Sequence, residues 1–391
     1  ELLQVQNTYQ KPLHPEVRSE GLDDLVRLLP DALGEKCKRL LDDPREHVTD
    51  IVLDLSRRPH VFSNNERVFL FDNEDRSPVP REGGVAVTRE MLDTVVERVG
   101  GLERFGDDNR AGLDGSLHRI SLCRNRQKDV IGVTMRVGRY IPNAGHVIHD
   151  ILLGMQDKSI LVLGEPGSGK TTLVRDVARV LAETQNVCVV DTSNEIAGDG
   201  DVCHPCLGHA RRFMVPSLKD QSKVMVECVQ NHAPHVMVID EIGRRAEVDA
   251  ACTVRQRGVR LIASAHGSLA SLLENRELRS LLGTYSDVIL PGGVAKRERT
   301  SEPTFDVVIE ICRSKLMEYK VHLDVGTTVD NMLGRKEFAF QRRVFDATTN
   351  DLFVSVETAF RLEKDKELGP IVGIDKQRPT APSGSRNGGG G

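Results

Sequence analysis

Gly164-Glu165-Pro166-Gly167-Ser168-Gly169-Lys170-Thr171 follows the apolar run Ser159-Ile160-Leu161-Val162-Leu163 and opens a helical pattern from Thr172 to Thr184. Strand, glycine-rich loop and helix in that order are the setting a P-loop requires. The glycines let backbone N–H groups turn inward around phosphate oxygens, and the helix N-terminus adds its partial positive charge. Within such a cradle Lys170 is expected to bridge the β- and γ-phosphates and Thr171 to ligate Mg²⁺, with Thr172 in the same turn. Residues 164–172 are thus the candidate site for a nucleoside triphosphate, ATP in the first instance.

Hydrolysis also needs an acidic strand end. Val236-Met237-Val238-Ile239-Asp240-Glu241 supplies one. Four apolar residues bury a strand, Asp240 emerges at its C-terminal end to hold the Mg²⁺ water shell, and Glu241 can polarise the attacking water. A second acidic segment, Asp191-Thr192-Ser193-Asn194-Glu195-Ile196-Ala197-Gly198-Asp199-Gly200-Asp201, follows the strand pattern Val187–Val190. Its carboxylates are expected on the same sheet edge, so Glu195 competes with Glu241 as catalytic base. The plainer alternative is an acidic, glycine-rich surface loop. Ser264-Ala265-His266-Gly267 closes the run Leu261 to Ala265. A lone histidine is usually structural, yet His266 at a strand end beside Asp240 is placed to sense a γ-phosphate and its loss.

Composition bounds the class. The chain has 391 residues, 39% hydrophobic and 28% charged, which is ordinary for a globular protein of two or three domains. A net charge of −5 gives no global basic footprint. Nucleic-acid binding would need a local patch, and the modest runs around Arg244, Arg245, Arg255, Arg257 and Arg260 read more readily as solvated faces or subunit contacts. No apolar stretch approaches the roughly 20 residues of a membrane span. The first residue is Glu1 rather than Met, so a mature form or a fragment is expected. Eight cysteines show no disulfide spacing, and reduced thiols are the default. Cys203-His204-Pro205-Cys206 could be a redox pair or half a zinc site, but with no second such pair a loop with two incidental cysteines is the stronger reading.

Along the chain, residues 1–45 read as a helical lead-in. Residues 46–147 carry strand candidates 50–55 and 67–71, a helix from the N-cap Thr88 to Val99, then strand candidates 116–124 and 130–137. The β-β-α-β-β order predicts a small α+β, PAS-like N-terminal domain. From 148 to 345, short continuous apolar runs (160–163, 187–190, 236–239, 261–265, 288–290 and 307–311) alternate with helices, which predicts a RecA-like α/β core with a parallel sheet covered on both faces. Residues 346–391 read as a C-terminal extension, largely a disordered linker.

The order of P-loop, acidic box at 191–195, Asp240-Glu241 and Ser-x-His resembles the RecA-like ATPases of type II and type IV secretion and twitching motility. Asp108-Asn109-Arg110-Ala111-Gly112, Leu117-His118-Arg119-Ile120-Ser121, the segment 191–200 and Thr304-Phe305-Asp306-Val307-Val308 resemble, more narrowly, the branch that includes stage III sporulation protein AA and ATPases of cyanobacteria and plastids. The resemblance covers residues 20 to 345. It implies a Mg²⁺-dependent ATPase working as a homo-hexameric ring on a protein partner, in a plastid. It also implies that the module before residue 147 packs over the nucleotide and supplies arginine fingers, with Arg119 and Arg136 first among Arg119, Arg124, Arg126, Arg136 and Arg139. Surface ion pairs are the plainer reading for at least three of the five. Members of the branch often carry a C-terminal module for single-stranded nucleic acid marked by Arg-x-x-x-His. That element is not found after residue 345, which together with the net negative charge weighs against the alternative function, a single-stranded nucleic-acid-binding ATPase linked to such a C-terminal module. Cys203, Cys206, Arg244 and Arg245 depart from the branch's pattern.

Overall fold

The computed structural model describes residues 17, 18, 20–71, 84–106, 108–289, 295–312, 317–346, 349 and 351–360, which build two large sheets. The first unit comprises α1 (Leu22–Arg27), α2 (Asp31–Leu41), β1 (Val48–Asp54), β2 (His60–Ser63), β3 (Glu66–Phe69), α3 (Arg89–Val99), β4 (Arg110–Gly112), β5 (Arg119–Arg124) and β6 (Val130–Arg136). Its strands lie in the order β3-β2-β1-β6-β5-β4, antiparallel throughout. Alternation explains this sheet: Ile51, Leu53, Ile120, Val133 and Met135 point to one core that the lead-in helices also enter through Leu25, Leu29 and Leu33. Thr88 caps α3 as its sequence suggests, accepting from Met91 N at 3.2 Å, and Gly100 ends the helix in left-handed backbone. The expectation of four strands missed the short β2 and β4.

The second unit comprises α4 (His149–Gly154), β7 (Ile160–Gly164), α5 (Lys170–Ala182), β8 (Val187–Asp191), β9 (Arg211–Met214), α6 (Gln221–His232), β10 (Val236–Ile239), α7 (Arg245–Gln256), β11 (Arg260–His266), α8 (Leu269–Glu274), β12 (Tyr285–Ile289), β13 (Ala295–Arg299), β14 (Val307–Ile311), β15 (Glu318–His322), α9 (Val325–Leu333), β16 (Phe338–Asp346) and β17 (Asp351–Ala359). The large sheet runs β17-β16-β15-β14-β7-β11-β10-β8-β9. From β14 to β9 it is parallel, and β7, β8 and β10 are buried at every residue. Each such Val, Ile or Leu side chain removed from water contributes about 1.5–3 kcal/mol.

Two features correct the parallel-sheet expectation. The sheet is mixed, because β15, β16 and β17 pair antiparallel and carry it past residue 345. The apolar run 288–290 does not join it either; its residues up to Ile289 form a separate hairpin with β13. Ser286-Asp287 ahead of the run 288–290 and Gln341-Arg342-Arg343 inside β16 are polar, and sequence reading takes such residues for strand ends. Within the expected linker 346–391, residues 351–359 are the strand β17, and the residues from 361 onward lie outside the described residues.

Strand order places the chemistry. β11 lies between the P-loop strand β7 and the acidic strand β10, so the ends of β7, β11, β10 and β8 share one edge. Open α/β sheets bind ligands at that edge.

Candidate functional site

α5 begins on the P-loop, so its first turn carries Lys170 and Thr171. Gly167 and Gly169 take φ of 74° and 97°, backbone that favours glycine. A Cβ on Gly164 would stand 2.4 Å from Ser168 Oγ. That hydroxyl and Thr192 Oγ1, beyond β8, are buried polar atoms with no protein partner.

Lys170 is buried, and its Nζ donates to Gly164 O at 2.9 Å, Glu165 O at 3.0 Å and His266 Nδ1 at 3.1 Å. His266 Nε2 stands 3.0 Å from Glu241 Oε2. An ammonium has no acceptor to offer, so Nδ1 accepts a hydrogen bond from Lys170 and Nε2–H donates to the carboxylate. Burial pulls the Lys170 pKa down, while Glu241, Asp240 and Glu195 pull it back up. The P-loop, β11 and the end of β10 thus meet in one Lys170–His266–Glu241 chain.

Asp240 is buried beside it. Its carboxylate accepts from the backbone N–H of Ser193 at 3.2 Å and from the Ser193 hydroxyl, and Ser264 Oγ donates to its carbonyl at 2.6 Å. Burial pushes its pKa up, the Ser193 bonds draw it down, and Glu195 and Glu241 add to the rise. Asp191, expected at the open edge, is instead fully buried and accepts from Ala197 N at 2.9 Å and Ile196 N at 3.4 Å. Burial, then the charge of Asp240, raises it to about 7. Its part is to shape the acidic loop.

Crowded acids whose ionisation is held back, together with orphaned hydroxyls, suit a site for a hard cation and phosphate oxygens. Thr171 and Asp240 are the residues that would hold Mg²⁺, which supplies charge neutralisation on the phosphates.

A cleft of about 1150 Å³ opens between the two units. Thr171, Thr172, Glu195, Arg119, Arg136 and Arg139 are among the residues lining it; Arg124 and Arg126 are not. Arg119 Nη1 lies 3.4 Å from Glu195 Oε1, Arg136 Nε donates to Asp50 at 3.1 Å, and Arg139 reaches Val48 O. Of these three cleft-lining arginines, Arg119 is the one whose side chain bridges the units. Arg244 also lines the cleft, with Nη1 donating to Leu218 O at 3.1 Å. Cys206 is buried and its thiol is pushed up to about 11, the opposite of a reactive thiolate.

Sequence reading missed Arg175. Buried on α5, it donates to Ile196 O at 2.7 Å, to Glu195 O and to Arg139 O at 3.2 Å, tying the acidic loop to the end of the first unit. The signal was the Arg175-Asp176 pair set inside the apolar stripe Leu173, Val174 and Val177.

The glycines of the acidic loop seat the first unit. Gly198 has φ of 87°, and a Cβ on it would lie 2.1 Å from the backbone oxygen of Ser116. Gly198→Ala is expected to destabilise the protein by about 2 kcal/mol or more, through backbone strain and lost docking. Gly115→Ala is the comparison, because Gly115 has φ of 66° but nothing within 4 Å of the added carbon. Equal losses in chemical denaturation for the two variants would rule out the contact at Gly198.

The strand order and this edge define a P-loop nucleotide-binding fold. The family described as Sporulation stage III, protein AA matches residues 116–287. SEEDLING PLASTID DEVELOPMENT 1 of Arabidopsis thaliana is 40% identical over 367 residues, 90% of this chain and 50% of that protein. The uncharacterized protein ycf45 of Cyanidium caldarium is 34% identical over 323 residues, 80% of this chain and 91% of that protein. The chain belongs to the ycf45 and SEEDLING PLASTID DEVELOPMENT 1 family of P-loop proteins related to stage III sporulation protein AA. It spans about half the length of the longer curated relatives it matches. The Legionella pneumophila ATPase DotB overlaps 90% of this chain and 84% of its own, with 13% identity and a TM-score of 0.44, a loose likeness of fold. Among the described residues no helix is long and apolar enough to cross a membrane.

Proposed function

We propose that this chain is a Mg²⁺-dependent ATP hydrolase of the RecA-like motor type, acting as an oligomeric ring on a protein partner in a plastid process. The observation that carries the reading is the Lys170–His266–Glu241 chain, which joins the phosphate-binding loop to a carboxylate through one imidazole. In this reading the P-loop backbone and Lys170 hold the triphosphate, Glu241 takes the proton of the attacking water, and His266 fixes the carboxylate and registers the γ-phosphate through Lys170. Asp240 and Thr171 hold the metal. Arg119 stabilises charge on the transferred phosphoryl group when the first unit, read as a PAS-like lid, closes on the core of its own or a neighbouring subunit. The name of the Arabidopsis relative supports the plastid setting.

The test is phosphate release from ATP with Mg²⁺ and with chelator, across a range of protein concentrations. Turnover that needs Mg²⁺ and rises per chain with concentration supports the hydrolase and the ring. Turnover independent of concentration would remove the ring. Arg119→Ala is expected to lower kcat at least about tenfold while sparing ATP affinity, because a finger acts on transition-state charge. Equal loss in affinity and kcat would assign Arg119 to binding instead.

A further inference from the structure

Glu310 is a buried carboxylate inside an apolar strand, paired in register with Leu163 of the P-loop strand. Its Oε1 accepts from the backbone N–H of Leu269 at 2.7 Å, and its Oε2 stands 3.0 Å from His322 Nε2 on β15. Leu269 begins α8, three residues after His266. The short link between them crosses the end of β7, where Gly267, at φ of 98°, donates to Gly164 O at 3.2 Å. His266 itself ends β11 in register with Gly164, and two bonds hold the link that follows it, one from Gly267 to β7 and one from Leu269 to Glu310 across it.

Burying a carboxylate and an imidazole side by side is a poor way to gain stability, since apolar residues of similar volume serve as well or better. Position, rather than stability, is what the pair delivers. We infer that Glu310, held by His322, is a positioning residue that fixes the link after His266 so that the imidazole stays between Lys170 and Glu241. The inference rests on the proposed hydrolase reading. Releasing the Leu269 N–H frees that link at one of its two bonds, while the bonds from Lys170 to Gly164 and Glu165 stay within the P-loop. Hydrolysis should suffer and ATP binding should not.

The experiment uses the variant E310L/H322F, which replaces the whole pair with apolar side chains beside Phe338 and Phe340 and so avoids a stranded buried charge. Thermal melting establishes that it folds. Its kcat is expected to fall about tenfold, within the range that misplacing a catalytic group costs. The Kd for ATP should stay within about twofold of wild type, because the affinity-determining contacts are untouched. Glu310→Gln, whose amide oxygen can still accept from Leu269, should restore most of kcat. The deciding readout is a cycle with His266→Ala: if Glu310 acts through His266, adding E310L/H322F to that variant costs nothing further. Losses that multiply, a kcat unchanged in E310L/H322F, or an affinity that falls in step with kcat would each overturn the inference. Wild-type turnover in the same series reports separately on the hydrolase reading, as does the effect of His266→Ala alone.

Discussion

Lys170→Ala is expected to abolish ATP binding at concentrations that saturate the wild type. The ammonium is the buried cation at the P-loop, and Glu241, Asp240 and Glu195 all act on it. In the proposed reading, removing it takes away the charge that meets the β- and γ-phosphates and leaves those three carboxylates facing a polyanion. One pair of unit charges about 4 Å apart is worth about 4 kcal/mol at the effective dielectric of a partly buried site, close to a thousandfold in affinity. His266 also loses its Nδ1 donor, so the link from phosphate to Glu241 is cut in the same step. Titration with a fluorescent ATP analogue gives the affinity, and phosphate release gives the rate. Binding within threefold of wild type would place the triphosphate elsewhere and remove the P-loop assignment.

The parts of this site that could be read from the chain are those built by local rules. A strand buried on both faces is a continuous apolar run, which is why β7, β8, β10, β11 and β14 stand out. The P-loop is legible because strand, glycines and helix are adjacent. Contacts made at long range are not. Lys170 and His266 are 96 positions apart, and only the strand order brings their loops together. The antiparallel extension was harder still: Arg343 breaks the apolar pattern of β16 yet is buried, because Asp150 on α4 accepts from it at 2.6 and 2.8 Å. A charged residue in a strand reads as exposed until its partner is known. Glu310 shows the same limit, since Val307-Val308-Ile309-Glu310-Ile311 reads as a strand with a flaw until Leu269 and His322 supply the reason. The first unit was legible as alternation but not in its docking, which depends on close backbone approach at Gly198.

Glu241→Gln should retain ATP and lose turnover, whereas Glu195→Gln should keep a substantial rate. Both carboxylates stand at the same sheet edge, so proximity alone does not choose between them. Their partners do. Glu241 directly follows Asp240 and accepts from the imidazole that also contacts Lys170, so its orientation is tied to the residue that meets the phosphates. Glu195 instead faces Arg119 at 3.4 Å across the cleft. Its backbone carbonyl, held by Arg175, is the better-fixed part of that residue. An amide at 241 can still accept the Nε2–H of His266, so geometry and ATP affinity survive while the basic charge is gone. Loss of a general base costs about 10²–10⁴ in rate, and kcat of Glu241→Gln should fall in that range. Glu195→Gln weakens an exposed ion pair and the placement of Arg119, an effect on the order of tenfold or less if the finger is only displaced. Single-turnover hydrolysis with each variant saturated in ATP separates rate from binding. A Glu241→Gln protein that hydrolyses at the wild-type rate beside an inactive Glu195→Gln would reverse the assignment, making Arg119–Glu195 the catalytic pair and the His266 chain a device for holding Lys170.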